Sequence, residues 1–337
     1  MISEVSIKNF KSLRDVRVKL ERFTVFVGAN ASGKSSILQA LDGVCGNARL
    51  RNFQEFDLLY RSFDGPLGLA VRSADWWYRH AFVPNNAFGE GGGAILLVSD
   101  DPESAEWKPW RMMSNTDRTL IQSVLLRLEA TKLIPPTTNQ ATPTGMAPDG
   151  TGLHAALTSM ALNDPDSWQE LQADLRRIIP TIRRLRHSKV VPGQTPPVLF
   201  DTTAVNGLHT QMVSEGTLLV LGLLTALYAP DRPNLILLDD LDRGLHPKAQ
   251  RELVTLLRGL LKTNPELQIV ATTHSPYLLD CMEPSEVRMT CLRDDGSTVC
   301  DSIENHPEFP KWKDDMYPGE LWSLFGERWL LKEEATV

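Results

Sequence analysis

Gly28-Ala29-Asn30-Ala31-Ser32-Gly33-Lys34-Ser35 follows an apolar run, Phe23-Thr24-Val25-Phe26-Val27, and precedes another, Ile37-Leu38-Gln39-Ala40-Leu41. The octet fits the phosphate-loop pattern G-x-x-x-x-G-K-[ST], and its place between a predicted strand and a predicted helix is the one its chemistry requires. Glycines at both ends let the backbone double back, so that successive N–H groups line one concavity at the positive end of the helix. Lys34 then reaches toward β- and γ-phosphates, and the Ser35 hydroxyl is suited to ligate magnesium. The expectation is a nucleotide-binding α/β chain.

Outward from the loop, 337 residues with 42% hydrophobic content suffice for one large or two moderate domains. No run of about eighteen apolar residues occurs, and Met1-Ile2-Ser3-Glu4-Val5 alternates like a strand instead of forming a leader. A cytoplasmic protein without membrane attachment is therefore expected. Cys45, Cys281, Cys291 and Cys300 lack metal-site spacing and read as reduced structural thiols. A net charge of −7 excludes a uniformly basic nucleic-acid binder, though not a local basic patch.

Periodicity predicts strands over 4–9, 16–20 and 23–27, then the helix opened by the loop. From 46 to 199 the pattern is less regular, with tryptophans at 76, 77, 107, 110 and 168 and a glycine run at 91–93. The Pro/Thr-rich stretch 135–148 reads as a flexible loop, and 167–179 reads as a helix closed by Pro180. Sustained heptads are missing and prolines interrupt, so the segment should form a compact lobe without a long coiled coil. The expected division is 1–45, the first half of a head; 46–199, an inserted lobe; and 200–337, the second half of the head.

Leu235-Ile236-Leu237-Leu238-Asp239-Asp240 reads as a buried parallel strand ending in carboxylates, at the edge where open α/β sheets bind ligands. Asp239 suits magnesium, and Asp240 suits a general base or a carboxylate that positions water. Gln268-Ile269-Val270-Ala271-Thr272-Thr273-His274-Ser275-Pro276 is a second core strand, and it puts His274 at the same edge. His274 there either contacts a γ-phosphate or serves as a capping or packing histidine. His80, His154 and His187 show no pairing that suggests metal or nucleophilic chemistry. Val213-Ser214-Glu215-Gly216-Thr217 precedes the apolar helix 218–227 and offers a second anion site at a helix start.

Taken in order, the phosphate loop, the Ser-x-Gly-Thr turn, the acidic strand with Gly244-Leu245-His246-Pro247, and Thr273-His274-Ser275-Pro276 form a set. The set resembles the ABC-type ATPases of the RecF, structural-maintenance-of-chromosomes and overcoming-lysogenization-defect group, and within it the small stand-alone bacterial AAA family ATPases. Ile7 to Leu13, Pro148 to Leu153 and Gly319 to Trp322 match as well, and the likeness is dense over 1–45 and 200–280. It implies a P-loop NTPase with an ABC-type head, its mixed sheet joined by antiparallel N-terminal strands. By position it implies Walker A at Gly28 to Ser36, including Asn30, Ala31, Ser32, Gly33, Lys34 and Ser35, and Walker B at Asp239 and Asp240. It further implies that Ser214, Gly216 and Thr217 touch the γ-phosphate bound to a second subunit, that 244–247 is the D-loop, and that His274 is the switch histidine.

Two ATP molecules, each with Mg2+ on Ser35 and Asp239, would then be sandwiched in a head-to-head dimer. The group usually carries glutamate where this chain has Asp240, so turnover is expected to be slow. Gln54 is the candidate glutamine-loop residue, with Gln122 as the alternative. The resemblance implies an ATP-driven switch in bacterial genome maintenance or in defence against phage or plasmid DNA, acting with an effector protein encoded nearby. The competing reading is a scaffold that hardly turns ATP over and holds a toxin or nuclease partner. Arg176, Arg177, Arg183, Arg184, Arg186 and Lys189 are the candidate DNA contacts, weighed against a solvated helix face and loop.

Overall fold

A computed structural model describes residues 1–45, 67–72, 77–83, 95–99, 108–109, 123–134, 145–188 and 195–331. Gln54, Gln122, Lys189, Trp76, Trp107, Trp110, the glycine run 91–93 and residues 135–144 lie outside them. The chain divides into two units: Met1–Leu125 with Pro233–Leu241 and Asn264–Val337, and Leu126–Arg232 with Asp242–Thr263.

Among the described residues, the first unit holds two six-stranded sheets. In one the strand order is β2-β1-β4-β5-β6-β7, formed by Leu13–Lys19, Glu4–Phe10, Leu67–Arg72, Trp77–Val83, Ile95–Ser99 and Lys108–Pro109. All its pairings are antiparallel, with Val5 opposite both Val18 and Val71. The other sheet runs β15-β14-β3-β13-β12-β8, formed by Thr298–Ser302, Val287–Leu292, Phe23–Gly28, Gln268–Thr272, Leu235–Leu238 and Ser123–Leu126. Here β3 is parallel to both β13 and β14, and β12 is parallel to β13. Every residue of β3, β12 and β13 is buried, as strands covered on both faces require.

Helix α1 (Lys34–Cys45) packs on β1 and β4 of one sheet and on β3, β12 and β13 of the other. Ile37, Leu38 and Leu41 are fully buried there with Phe26, Val270, Val5 and Ile7. Each such side chain contributes about 2 kcal/mol of burial. At the start of β13 the buried Gln268 accepts from Ile2 N–H through Oε1 (2.9 Å) and donates to the carbonyls of Ile2 (2.7 Å) and Glu21 (3.0 Å). An amide with both donors and its oxygen engaged thus pins the N-terminal strand to the parallel sheet.

The expected boundary at residue 46 does not coincide with this division. Because β4 pairs with β1, the strands between 67 and 109 belong to the first unit. The second unit also takes residues 200–232 and 242–263, which the sequence groups with the C-terminal half of the head.

The second unit contains α2 (Leu153–Asn163), α3 (Pro165–Ile178), α4 (Glu215–Leu227), α5 (Pro247–Thr263) and the three-stranded sheet β11-β10-β9, formed by Leu208–His209, Val198–Thr202 and Ile182–His187. Helix α3 starts two residues before the predicted 167, because Pro165 occupies its first turn and Asp164 caps it by accepting from Ser167 N–H. Helix α5, at 17 residues, is the longest among the described residues, which show no long coiled coil. No helix among them is long and apolar enough to cross a membrane. Leu41→Ala should lower the unfolding free energy by about 3 kcal/mol through the cavity left between the sheets, read as a fall in urea midpoint at constant slope.

Candidate functional site

The loop after β3 adopts left-handed backbone at Ala31 (φ 63°) and Gly33 (φ 100°), with Gly28 at φ 152°. Its support comes from the far end of the chain. A Cβ on Gly28 would lie 2.1 Å from the Thr290 carbonyl oxygen, and one on Gly33 would lie 2.3 Å from Thr298 Oγ1. Glycine is therefore required at both positions by close approach as well as by conformation. Thr290 Oγ1 donates to the Val27 carbonyl (3.2 Å), which leaves Ser32 Oγ as the donor in its 2.6 Å bond to Thr290 Oγ1. Thr298 Oγ1 donates to Ser12 Oγ (2.8 Å), so the N-terminal hairpin also reaches the loop's underside.

Lys34 is buried, and its ammonium donates to the carbonyls of Gly28 (2.9 Å) and Ala29 (2.8 Å), inside the curve of the loop. Asn30 and Ala31 are exposed at the rim, Ser32 and Gly33 are buried, and Ser35 and Ser36 are half-buried on the first turn of α1.

Asp239 and Asp240 follow β12 directly. Ser35 Oγ donates to Asp239 Oδ1 (2.9 Å), and Thr272 Oγ1 donates to the same oxygen (2.9 Å). Thr272 in turn accepts from Asp240 N–H (2.8 Å). A hydroxyl and a carboxylate in contact form an all-oxygen donor set, the kind that suits a hard cation such as Mg2+. Asp240 itself is left-handed (φ 55°), a conformation that aspartate tolerates better than most residues. Its Oδ1 lies 3.9 Å from His274 Nε2. The structure thus brings Lys34, Ser35, Asp239, Asp240 and His274 to one sheet edge.

Thr272, Thr290 and Thr298 have no counterpart in the sequence reading. Only Thr272 carried a local signal, its place two residues before His274. The other two act across more than 250 positions, with Ser32 and Thr290 separated by 258.

In the second unit, Ser214 caps α4, its Oγ accepting from Thr217 N–H (3.4 Å) and bonding Thr217 Oγ1 (2.8 Å). Ser214 is exposed, whereas Thr217 and Gly216 are buried. A Cβ on Gly216 would lie 2.0 Å from the Gly244 carbonyl oxygen, so the two loops touch through backbone. Arg243 Nη2 donates to Glu215 Oε1 (2.9 Å) across the same junction.

The basic cluster is neither a helix face nor a loop over 183–187. Arg183, Arg184 and Arg186 lie on β9 (Ile182–His187), paired with β10 (Val198–Thr202). Asp201, 2% exposed, accepts from Arg184 Nε (2.7 Å), Arg186 Nε (3.0 Å) and Gly207 N–H (2.8 Å). Arg177 Nε donates to Glu252 (2.9 Å) and Arg176 Nη1 to the Arg183 carbonyl (3.2 Å). The side chains of Arg184 and Arg186 nevertheless remain 67% and 43% exposed. His154 is a core histidine: its Nδ1 accepts from Val198 N–H (2.9 Å), and burial pushes its pKa down to about 4. The four cysteines are free thiols, and burial raises those of Cys45, Cys291 and Cys300.

Residues 161–280 match the family described as "AAA domain, putative AbiEii toxin, Type IV TA system", and residues 1–84 match an AAA ATPase domain family. Over 75 residues the chain is 33% identical to the Septu protein PtuA of Bacillus thuringiensis, a stretch covering 22% of this chain and 18% of that protein's length. Among solved structures, a Smc head domain with an extended coiled coil, bound to the C-terminal domain of ScpA from Pyrococcus furiosus, superposes with TM-score 0.62 at 13% identity, covering 93% of this chain and 98% of that one. An SmcHead bound to the C-winged helix domain of ScpA gives 0.58 at 16%, covering 90% and 98%. The SMC head domain from Thermotoga maritima gives 0.52 at 14%, covering 90% and 99%. At these identities the likeness establishes a shared fold, that of an SMC head.

The Arg184 and Arg186 hydrogen bonds and the Gly207 amide hold the Asp201 carboxyl well below its ordinary value, at about 2. A depressed carboxylate stabilises the fold above its unfolded pKa, and that contribution is lost as pH falls through the folded one. Asp201→Asn should therefore lower thermal stability at pH 7, and its deficit against the unsubstituted chain should shrink between about pH 4 and pH 2.

Proposed function

From the matches of residues 1–84 and 161–280 to AAA ATPase families and from the SMC-head fold, we propose that the chain is a P-loop ATPase of the SMC/RecF-like ABC-type group, an ATP-binding and ATP-hydrolysing switch worked by the loop of residues 28–36. The observation that carries this is the 2.9 Å bond from Ser35 to Asp239, which joins the two halves of a phosphate and metal site at the C-terminal edge of parallel strands. In this reading the loop amides cradle the phosphates, and the Lys34 ammonium turns from the carbonyls of Gly28 and Ala29 to the β- and γ-oxygens. Ser35 and Asp239 hold Mg2+, which when bound neutralises charge on the transferred group. Asp240 orients and deprotonates the attacking water, and His274 senses the γ-phosphate.

Hydrolysis is slow in this reading. The aspartate carboxylate is one methylene shorter than the usual glutamate, and a misplacement of about 1 Å costs on the order of a hundredfold in rate. The same observation favours the second reading, an ATP-dependent scaffold that restrains a toxin or nuclease.

Ser214, at the exposed start of α4, meets the γ-phosphate held by a second copy, so ATP closes a dimer of heads and hydrolysis opens it. A partner effector or DNA reads that change. The outward faces of Arg184 and Arg186, aligned by Asp201, are the DNA contacts retained from the basic cluster. The likeness to Septu PtuA and the toxin–antitoxin family description support a role in defence against phage or plasmid DNA.

Purified protein should show ATP turnover that linear duplex DNA stimulates and Lys34→Ala abolishes. Tight ATP binding without turnover in either condition would favour the scaffold. Asp240→Asn, a residue equally suited to left-handed backbone, should cut turnover at least about a hundredfold while leaving ATP affinity and melting temperature near those of the parent.

A further inference from the structure

After the short helices α6 (Pro276–Leu279) and α7 (Phe309–Trp312), helix α8 (Pro318–Phe325) ends at Gly326, whose φ of 62° turns the chain sharply, with nothing within 4 Å of the position a Cβ would take. The turn delivers Glu327 to the phosphate loop. Glu327 Oε1 accepts from Ala29 N–H (3.0 Å) across 298 positions, while Oε2 accepts from Trp322 Nε1 (3.2 Å) one turn back on α8. Immediately after it, Trp329 and Leu330 are buried where the short helix Arg328–Leu331 packs against β14 and β15, the strands whose threonines support the loop. One carboxylate therefore bonds the loop with one oxygen and the C-terminal helix with the other, at an otherwise exposed loop residue.

We propose that Glu327 is a positioning residue of the nucleotide site, fixing the phosphate loop through Ala29 and coupling nucleotide occupancy to helix α8. The proposal rests on the nucleotide reading of the loop. A charged acceptor makes this bond stronger than a neutral pair would, and it commits the Ala29 amide to the carboxylate. A polyanion entering the loop acts on the same backbone and repels the same carboxylate, so its arrival is felt at α8. By reciprocity, whatever displaces α8 changes nucleotide affinity by the same factor.

The test is hydrogen exchange on the full chain, with and without ATP and magnesium, for the parent, Glu327→Ala and Trp322→Phe. Without nucleotide, peptides spanning 24–33 should exchange about tenfold faster in Glu327→Ala, since the amide loses a charged partner. In the parent, ATP should change exchange in 318–331 as well as in the loop. In Glu327→Ala the loop should still respond while 318–331 falls silent, and the KM for ATP should rise severalfold with kcat within about twofold. Trp322→Phe, which keeps the carboxylate and removes its second anchor, should give a smaller change of the same sign and carries the test if Glu327→Ala folds poorly. Unchanged loop exchange in the variants, or an undiminished ATP response at 318–331, would overturn the proposal. If ATP alters the loop in none of the proteins, the nucleotide reading fails, and the exchange measured without nucleotide still decides whether Glu327 positions the loop.

Discussion

The contact on which the site depends is backbone against side chain: a loop with left-handed residues at 31 and 33 lying directly on two threonines of the β14–β15 hairpin. Left-handed backbone at Ala31 costs on the order of 1 kcal/mol or more and persists only where its surroundings over-determine it. Here the surroundings are Thr290 beneath Ser32 and Thr298 against Gly33, both contributed by strands that lie after β3, β12 and β13 in the sequence. The loop motif specifies what can bind phosphate, and the last third of the chain holds it in that shape.

That division of labour explains what was legible in the sequence. Lys34, Ser35, Asp239 and His274 stand at the ends of apolar runs, and a run buried on both faces announces a parallel strand and its functional edge. The start of α4 could be read from its cap, because Ser214 and Thr217 are three residues apart and their bond is local. Thr290 and Thr298 are unremarkable threonines in an ordinary hairpin, and their role exists only through pairing with β3, an event of long sequence range. Glu327 is hidden for the same reason. The pairing of β4 with β1 is hidden too, because a partner more than sixty positions earlier is not encoded in the residues of either strand. The arginines of 183–186 alternate with too little contrast to betray a strand, and the buried Asp201 that organises them sits on the next one.

The second unit shows how two motifs become one part. Gly216 and Gly244 meet without side chains between them, and the Arg243–Glu215 pair spans the same junction, so the start of α4 and the turn before α5 cannot shift independently by more than the slack of a van der Waals contact. A force applied at Ser214 is transmitted to the 244–247 turn through main chain, with no rotamer to absorb it.

Helix α1, packed on one sheet by one face and on a second sheet by the other, has a mechanical consequence. Its first turn carries Lys34 and Ser35, yet the rod behind them is clamped along both flanks by side chains with no solvent exposure. Tilting it would open two tightly packed seams at once, at many times the thermal energy. The helix therefore behaves as an anvil: whatever strikes the loop cannot be absorbed by recoil of α1, and displacement must leave through the lighter pieces at the rim, among them the turn at Asp240 and the segment that begins at Gly326.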